Sequence, residues 1–475
     1  MKVSEYYNLG RHQGELDFVD VDIWGDTRLY VDPRALRLLT TPWGAECVTL
    51  VQHFFRAVLE AIRNGRNDEA KRWLSGLREP NETHLGLSRG RARGSGLGPE
   101  LAEEVWESLS ATDAAVTGLL RDLEETALVV PGIDRDRISD ITTNVIREPL
   151  IRYTQAACEH YGIPLSPGVD SGPLWNDRAK SWFARFEHLP VTAEGKLLLV
   201  PKAIVRRKLD YNGSEYLNHY LLTYIQDAEL AAGSELVRLL KSGDRRPPTK
   251  KALKERYGTN KLVIAELTQR YPEALENYRT QKRTHFQPPL THEDFFTEGT
   301  GPVPDLAGLL SKVQSVPPGS DGADAYHKAV EALLSALFYP NLTSPQVEYR
   351  IHDGRKRIDI AYSNVAERGV FGWIAQHFPS AMIFVECKNY SEDPANPELD
   401  QLTGRFSPRR GKVGLLVCRT VEDRETMKAR CRDAADDDRG FIVVLDDGDL
   451  GALVESYQAT RVLSLLRERF EQLIS

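Results

Sequence analysis

The stretch Ala381-Met382-Ile383-Phe384-Val385-Glu386-Cys387-Lys388-Asn389 decides the reading of the chain. A short apolar run bounded by polar residues predicts a buried strand of an α/β sheet. This one ends in two opposite charges. Side chains alternate across a strand, so Glu386 and Lys388 share one face and Cys387 takes the other. Such charges are costly in a core unless paired or bound to a metal. The strand end therefore predicts a metal ion or a phosphate. Just upstream, Arg350-Ile351-His352-Asp353-Gly354-Arg355-Lys356-Arg357-Ile358-Asp359-Ile360-Ala361-Tyr362 reads as a hairpin turning at Asp353-Gly354. In its second strand Arg357 and Asp359 share a face, and Ile358 and Ile360 fill the other. Two neighbouring strands would then each offer a carboxylate to one point, an arrangement suited to Mg2+.

Asp359 followed, after an intervening helix, by Glu386-Cys387-Lys388 resembles the D…(D/E)xK signature of the PD-(D/E)xK, or restriction-endonuclease-like, nuclease superfamily. The helix Asp324-Ala325-Tyr326-His327-Lys328-Ala329-Val330-Glu331 carries an acid where the family often has one. Leu399-Asp400-Gln401-Leu402 and Lys412-Val413-Gly414-Leu415-Leu416-Val417-Cys418-Arg419 resemble the following helix and strand. The Pro that often precedes the family's first Asp is absent, Arg357-Ile358 standing there. The likeness covers roughly the last third of the chain. It implies a restriction-endonuclease-like mixed sheet flanked by helices, and a Mg2+-dependent endonuclease, with Mn2+ substituting. Metal ligands would be Asp359, Glu386, the Cys387 carbonyl and, for a second ion or a water, Glu331. Lys388 would orient the water or stabilise the phosphorane, or act as a base were its pKa lowered; Gln401 would hydrogen-bond a phosphate or a ligand. Arg355, Lys356, Arg405, Arg409, Arg410 and Lys412 are candidates for tracking nucleic acid, DNA favoured over RNA. The family setting is bacterial restriction or antiviral defence. The alternative is a non-catalytic nucleic-acid-binding, sensor or assembly protein that keeps the fold. On either reading, removing Asp359 or Glu386 should relieve carboxylate repulsion and leave stability unchanged or raised.

Length and composition bound the rest. At 475 residues the chain has room for two or three domains. Acidic residues outnumber basic ones, 69 to 61, which excludes a chain coated in basic charge but not a local basic groove. The five cysteines, at 47, 158, 387, 418 and 431, have no zinc spacing and read as reduced cytosolic thiols. The polar start and the absence of a long apolar run predict a cytoplasmic protein.

The front of the chain reads as a mostly helical α+β region, 1–285. Residues 15–33 alternate apolar and polar and predict a leading β-hairpin with aspartates 17, 20 and 22 facing solvent and Asp32 capping a helix at Pro33. Residues 45–78 show helical spacing. The Gly- and Arg-rich stretch 81–98 reads as a surface loop, with phosphate contact as a lesser reading. A polar face on the helix after Asp134 predicts an interface. The basic stretch 241–283 predicts either a solvated surface or a nucleic-acid face, without a nameable helix-turn-helix. Pro and Gly residues across 286–322 predict a connector, and 323–475 the nuclease-like domain, ending in one long helix. A homodimer or larger assembly, and a protein partner for the front region, stay open.

Overall fold

The computed structural model describes residues 1–39, 41–86, 98–110, 119–239, 245–351 and 356–474. Residues 15–33 do not close as the expected hairpin. Strand β1 (Tyr30–Val31) pairs antiparallel with β2 (Val205–Arg206), and Phe18 bridges Pro201. Burial explains the difference. Leu16, Phe18, Val19, Val21 and Ile23 are buried, and so are Asp17 and Asp20 between them. The aspartates find internal donors instead of solvent. Asp20 accepts from the amide and hydroxyl of Ser4 at 2.9 and 2.6 Å. Asp17 accepts from the Tyr153 hydroxyl at 2.8 Å and the Ser344 amide at 2.7 Å.

Helix α1 (Pro42–Arg63) starts where Thr41 accepts from the Gly44 amide, and it buries Val51, Phe54, Phe55, Val58 and Ile62 along one stripe. Helices α2 (Arg135–Val145) and α3 (Arg147–Tyr161) follow. The polar face of α2 is internal: Ser139 accepts from the Val31 amide, and Asn144 donates to the carbonyls of Arg78 and Asp140. Of the Gly- and Arg-rich stretch, residues 87–97 lie outside the described residues, as do Lys241 and the turn 352–355.

The expected connector 286–322 contains two packed helices, α4 (His292–Thr297) and α5 (Leu306–Ser315). Phe295 of α4 belongs to the front core, whereas Leu306, Leu309 and Val313 of α5 belong to the rear core. The change of core falls between them. The Pro/Gly punctuation was real, but it separates helices rather than marking bare linker.

The rear unit runs α6 (Ala323–Phe338), β3 (Leu342–Ile351), β4 (Lys356–Asn364), α7 (Gly369–His377), β5 (Met382–Lys388), α8 (Asn396–Thr403), β6 (Val413–Cys418), α9 (Arg424–Asp436), β7 (Phe441–Leu445), α10 (Asp447–Thr460) and α11 (Ser464–Glu471). Its five-stranded mixed sheet has the spatial order β3-β4-β5-β6-β7. The first two pairings are antiparallel; β5, β6 and β7 run parallel. Helical crossovers α8 and α9 between the parallel strands account for that switch. Every residue of β6 is buried, as expected of a parallel strand covered on both faces. The expected single C-terminal helix is two, broken at Arg461, whose φ is +55°. No helix among the described residues is long and apolar enough to cross a membrane.

The two units meet through polar contacts and through Tyr339 and Val365, which pack into the front core. His292 Nε2 lies 2.9 Å from the Ala336 carbonyl, the Ser344 amide reaches Asp17, and Lys202 Nζ sits 4.1 Å from the Tyr339 ring centroid. Because α5 completes the rear core, Leu309→Ala should lower stability by about 2–4 kcal/mol. Denaturant unfolding followed by circular dichroism checks this; a midpoint like that of wild type would place α5 outside the core.

Candidate active site

The register that pairs Ile360 with Val385 and Ala361 with Phe384, carried one step further, sets Asp359 opposite Glu386. Both side chains belong to the same sheet face, so β4 and β5 present a pair of carboxylates at one end of the sheet. Asp359 is turned back onto the neighbouring strand, where its Oδ2 accepts from the Cys387 amide at 2.9 Å.

Glu386 is 1% exposed and satisfied on both oxygens. Lys388 Nζ donates to its Oε1 at 3.0 Å, Gln401 from α8 donates to the same oxygen, and Arg405 donates to Oε2. Gln401 also accepts from Lys388 at 3.2 Å, closing a ring of three side chains. Burial and the nearby Asp359 charge raise the Glu386 pKa even though Lys388 and Arg405 oppose them. Burial disfavours the Lys388 ammonium, but Glu386 outweighs it and the pKa ends above the ordinary value. Lys388 is thus held protonated, which fits a charge-stabilising role and not a base. The Cys387 thiol is buried and its pKa is pushed far up by burial. Its backbone carbonyl is the part of Cys387 that faces the site.

The side chain that reaches the site from α6 is His327, not Glu331. His327 Nε2 lies 3.1 Å from the Cys387 carbonyl and 3.7 Å from Asp359 Oδ2. Glu331, one turn further along α6, points into the contact with the front unit. Its Oε2 takes a hydrogen bond from Arg11 at 2.6 Å, its Oε1 lies 3.6 Å from His160, and Ser335 donates to Oε1. The sequence reading singled out Glu331 and missed His327, four residues earlier on the same helical face, because spacing alone shows only that the two share that face.

The expected tracking residues divide. Arg405 is buried against Glu386, and Lys412 is bonded to Asp438 at 2.7 Å, so neither is a free phosphate contact. Arg410 donates to the Arg405 carbonyl at 3.3 Å; Arg409 is exposed. Arg355 lies outside the described residues, and Lys356 is known only as the first residue of β4. Several lysines of the basic front stretch are likewise internal: Lys250 donates to Asn218, Lys261 to Ile133 and Lys282 to Asp210. Asn389, just past Lys388, donates to the carbonyls of Pro317 and Gly319 at 2.9 and 2.8 Å and so fastens the chain entering α6 beside the site.

Asp359, Glu386 and the Cys387 carbonyl form an oxygen donor set of the kind a hard divalent cation takes. Among the described residues no three His, Cys, Asp or Glu side chains converge as a metal centre, so a cation here would need that carbonyl as a further ligand. Glu386 would have to share its carboxylate between the cation and its present partners.

Residues 8–212 match a family described as Domain of unknown function (DUF8370). No curated protein and no solved structure matches the chain. The matched stretch carries Arg11, Asp17, His160 and Lys202 of the contact between the units, and it ends well before the five-stranded sheet.

These bonds set the expected stability of three variants. Contrary to the expectation from carboxylate repulsion alone, Glu386→Ala strands Arg405 and Lys388 without their carboxylate and should cost roughly 3 kcal/mol. Asp359→Asn keeps an acceptor for the Cys387 amide while removing a repelling charge, and should hold or raise the thermal midpoint. The opposite order in a thermal melt would contradict the assigned partners. For Glu331, burial opposes ionisation, but His160 and Arg11 more than offset it and bring the pKa to about 2. A carboxylate with a depressed folded pKa stabilises above its unfolded pKa and loses that contribution as pH falls through the folded value. Glu331→Gln should therefore cost roughly 3 kcal/mol at neutral pH. The gap from wild type in urea unfolding should shrink as pH drops from about 5 toward 2. A gap independent of pH would contradict the ion pair.

Proposed function

We propose that the rear unit is a PD-(D/E)xK, restriction-endonuclease-like nuclease domain and that the protein hydrolyses phosphodiester bonds of nucleic acid, most readily DNA, in a bacterial defence role. The observation that carries the reading is the cross-strand pair Asp359–Glu386, with Lys388 two residues on and Gln401 supplied by the next helix. Lone ExK triplets are common; one facing a second carboxylate across an antiparallel pair, at the entry to a parallel crossover, is a more demanding coincidence.

A divalent cation held by Asp359, Glu386 and the Cys387 carbonyl would supply Lewis acidity toward both the phosphate and the attacking water. The chain's own groups do the rest. Lys388, kept cationic, faces charge developing on the phosphate. Gln401 orients Lys388 and Glu386 toward each other, and Arg405 holds Glu386 ionised against its burial. Exposed Arg409 and the exposed Tyr390 next to the site are available to the nucleic-acid strand.

One observation favours a second reading, a nucleic-acid-binding, sensor or assembly protein that keeps the fold without cleaving. The Arg405–Glu386 ion pair already neutralises a carboxylate the cation would need.

Incubation with supercoiled plasmid, linear duplex and single-stranded RNA, in Mg2+, Mn2+ or EDTA, separates the two. Cleavage should require metal and vanish in Asp359→Ala. Lys388→Ala should lose about 10²–10³ in single-turnover rate while still binding metal. Wild-type protein that binds nucleic acid yet cleaves none of the three with either metal would leave the second reading standing.

A further inference from the structure

We propose that the front unit carries a nucleic-acid contact of its own, a single-strand site in which Phe183 and Phe186 stack on bases while Lys196 and Arg78 take the adjoining phosphates. All four residues lie in the matched 8–212 stretch. The contact is separate from the Asp359–Glu386 pair and does not depend on any cleavage there.

The first observation is a bare aromatic tip. The strands Ser181–Phe183 and Phe186–Leu189 are joined by Ala184 and Arg185, and all of Phe183-Ala184-Arg185-Phe186 is exposed, Phe186 by 78%. One exposed phenyl ring needs no explanation; two on one fixed tip do. The tip is fixed from below. Trp182, pointing to the opposite face from Phe183, donates its indole N–H to the Trp73 carbonyl at 2.5 Å and lies against Trp175, ring centroids 5.2 Å apart. Arg185 is bonded to Glu148 and Glu187 and sits 5.9 Å from the Phe183 ring centroid, so it stiffens the tip and is not a free cation.

The second observation is positive charge held next to it. Phe186 pairs across the ladder with Asp170, whose carbonyl accepts from Lys196 Nζ at 2.8 Å. Two residues on, Gly172 has φ +71°, and a Cβ there would stand 3.2 Å from an Arg147 guanidinium nitrogen and 3.3 Å from Lys196 Nζ. Glycine thus lets two cations close on one turn. Arg147 is buried and paired with Glu82, yet its Nε has no hydrogen-bond partner among the described residues. Burial and then the nearby Arg78 bring its pKa down to about 10. The Lys196 pKa is lowered by burial and by Arg147, against the pull of Asp170. The Asp170 carboxylate itself accepts from the Gly172 amide at 3.1 Å. Among the described residues no carboxylate pairs with the Lys196 ammonium or the exposed Arg78 guanidinium. A phosphate would relieve the repulsion among these cations. Bare rings beside unpaired cations match an unpaired strand, whose base faces are free to stack; a duplex keeps its base faces inside, and a protein partner would leave the cations unexplained. Helix α3 starts at Arg147, and its His160, about 20 Å along the axis, lies against Glu331 of α6, so one helix links this contact to the junction beside the candidate site.

The test follows the fluorescence anisotropy of a labelled oligothymidine of about 12 nucleotides, and of a duplex of equal length, on binding to the full chain in EDTA, where no metal-dependent cleavage intervenes. The proteins are wild type, Phe186→Ala, Phe186→Trp, Phe183→Ala/Phe186→Ala and Lys196→Gln. Phe186→Ala should weaken single-strand binding about 10-fold and duplex binding far less, with the salt dependence unchanged. The double variant should lose more, and Phe186→Trp should bind like wild type. Lys196→Gln should flatten the slope of log affinity against log salt by about 0.7, the share of one phosphate contact on a single strand. Because Phe186 is so exposed, thermal melts of its variants should match wild type. Wild type that leaves the single strand unbound, Phe186→Ala that binds it like wild type, equal losses for strand and duplex, or a wild-type salt slope in Lys196→Gln would each overturn the site. Unchanged binding by Phe186→Ala would assign the tip to a protein partner instead. Failure to cleave in Mg2+ or Mn2+ beside intact, Phe186-dependent binding would count against the nuclease reading alone.

Discussion

Two carboxylates set side by side are the constraint around which the rear unit is built. Unit charges about 5 Å apart repel by roughly 3 kcal/mol at an effective dielectric of about 20, and burial of one of them adds to that cost. Asp359 and Glu386 stand in this relation because β4 and β5 are antiparallel in a register that leaves them opposite each other. The surrounding chain answers the cost locally. The Cys387 amide takes one Asp359 oxygen, Lys388 and Gln401 take one oxygen of Glu386, and Arg405 takes the other. The raised Glu386 pKa says that these partners do not wholly cancel burial and repulsion. A residual cost of this kind, concentrated at one strand end, is characteristic of sites shaped for a ligand rather than for stability.

The second organising feature is α6, which faces two ways. His327 meets the strand ends of the sheet, while Glu331 is buried in the contact with the front unit through Arg11 and His160. One rigid helical turn therefore joins the candidate site to residues of the matched 8–212 stretch. The junction joins Tyr339 and Val365, packed in the front core, to buried polar groups such as Lys202, whose pKa burial brings down to about 8. Buried polar contacts are costly to leave half-made, which argues for a specific docking of the two units and against a loose tether.

The legible parts of the sequence were those where one signal sufficed. The apolar run ending at Glu386–Lys388 and the period-2 pattern around Asp359 carried the two central strands, because alternation fixes which side chains share a face. Of the strands beside them, β6 followed from a continuous apolar run and β3 from the hairpin reading. Elsewhere two signals competed. In 15–33 the alternating aspartates suggested a solvent face, but Asp17 and Asp20 are buried beside donors such as Ser4, Tyr153 and Ser344, the last 327 residues away, which no local pattern encodes. Across 286–322, Pro and Gly hid two short helices whose apolar faces dock on different cores. Arg405 resembled a surface cation because charge alone does not reveal its partner. That His327 and not the expected Glu331 meets the strand end depends on where α6 starts relative to the sheet, which is set by packing and by Asn389 bonding to Pro317 and Gly319.

The account's central claim is that Asp359 belongs to a divalent-cation site, and ligand-linked stability tests it without presupposing any substrate. A bound ion stabilises only the folded state, by about 2.7 kcal/mol at a hundredfold excess over its dissociation constant. The thermal midpoint of the full chain should rise with added Mn2+ in wild type and stay fixed in Asp359→Asn, which retains the bond to the Cys387 amide. Equal shifts in the two proteins, or none in wild type at millimolar metal, would contradict it.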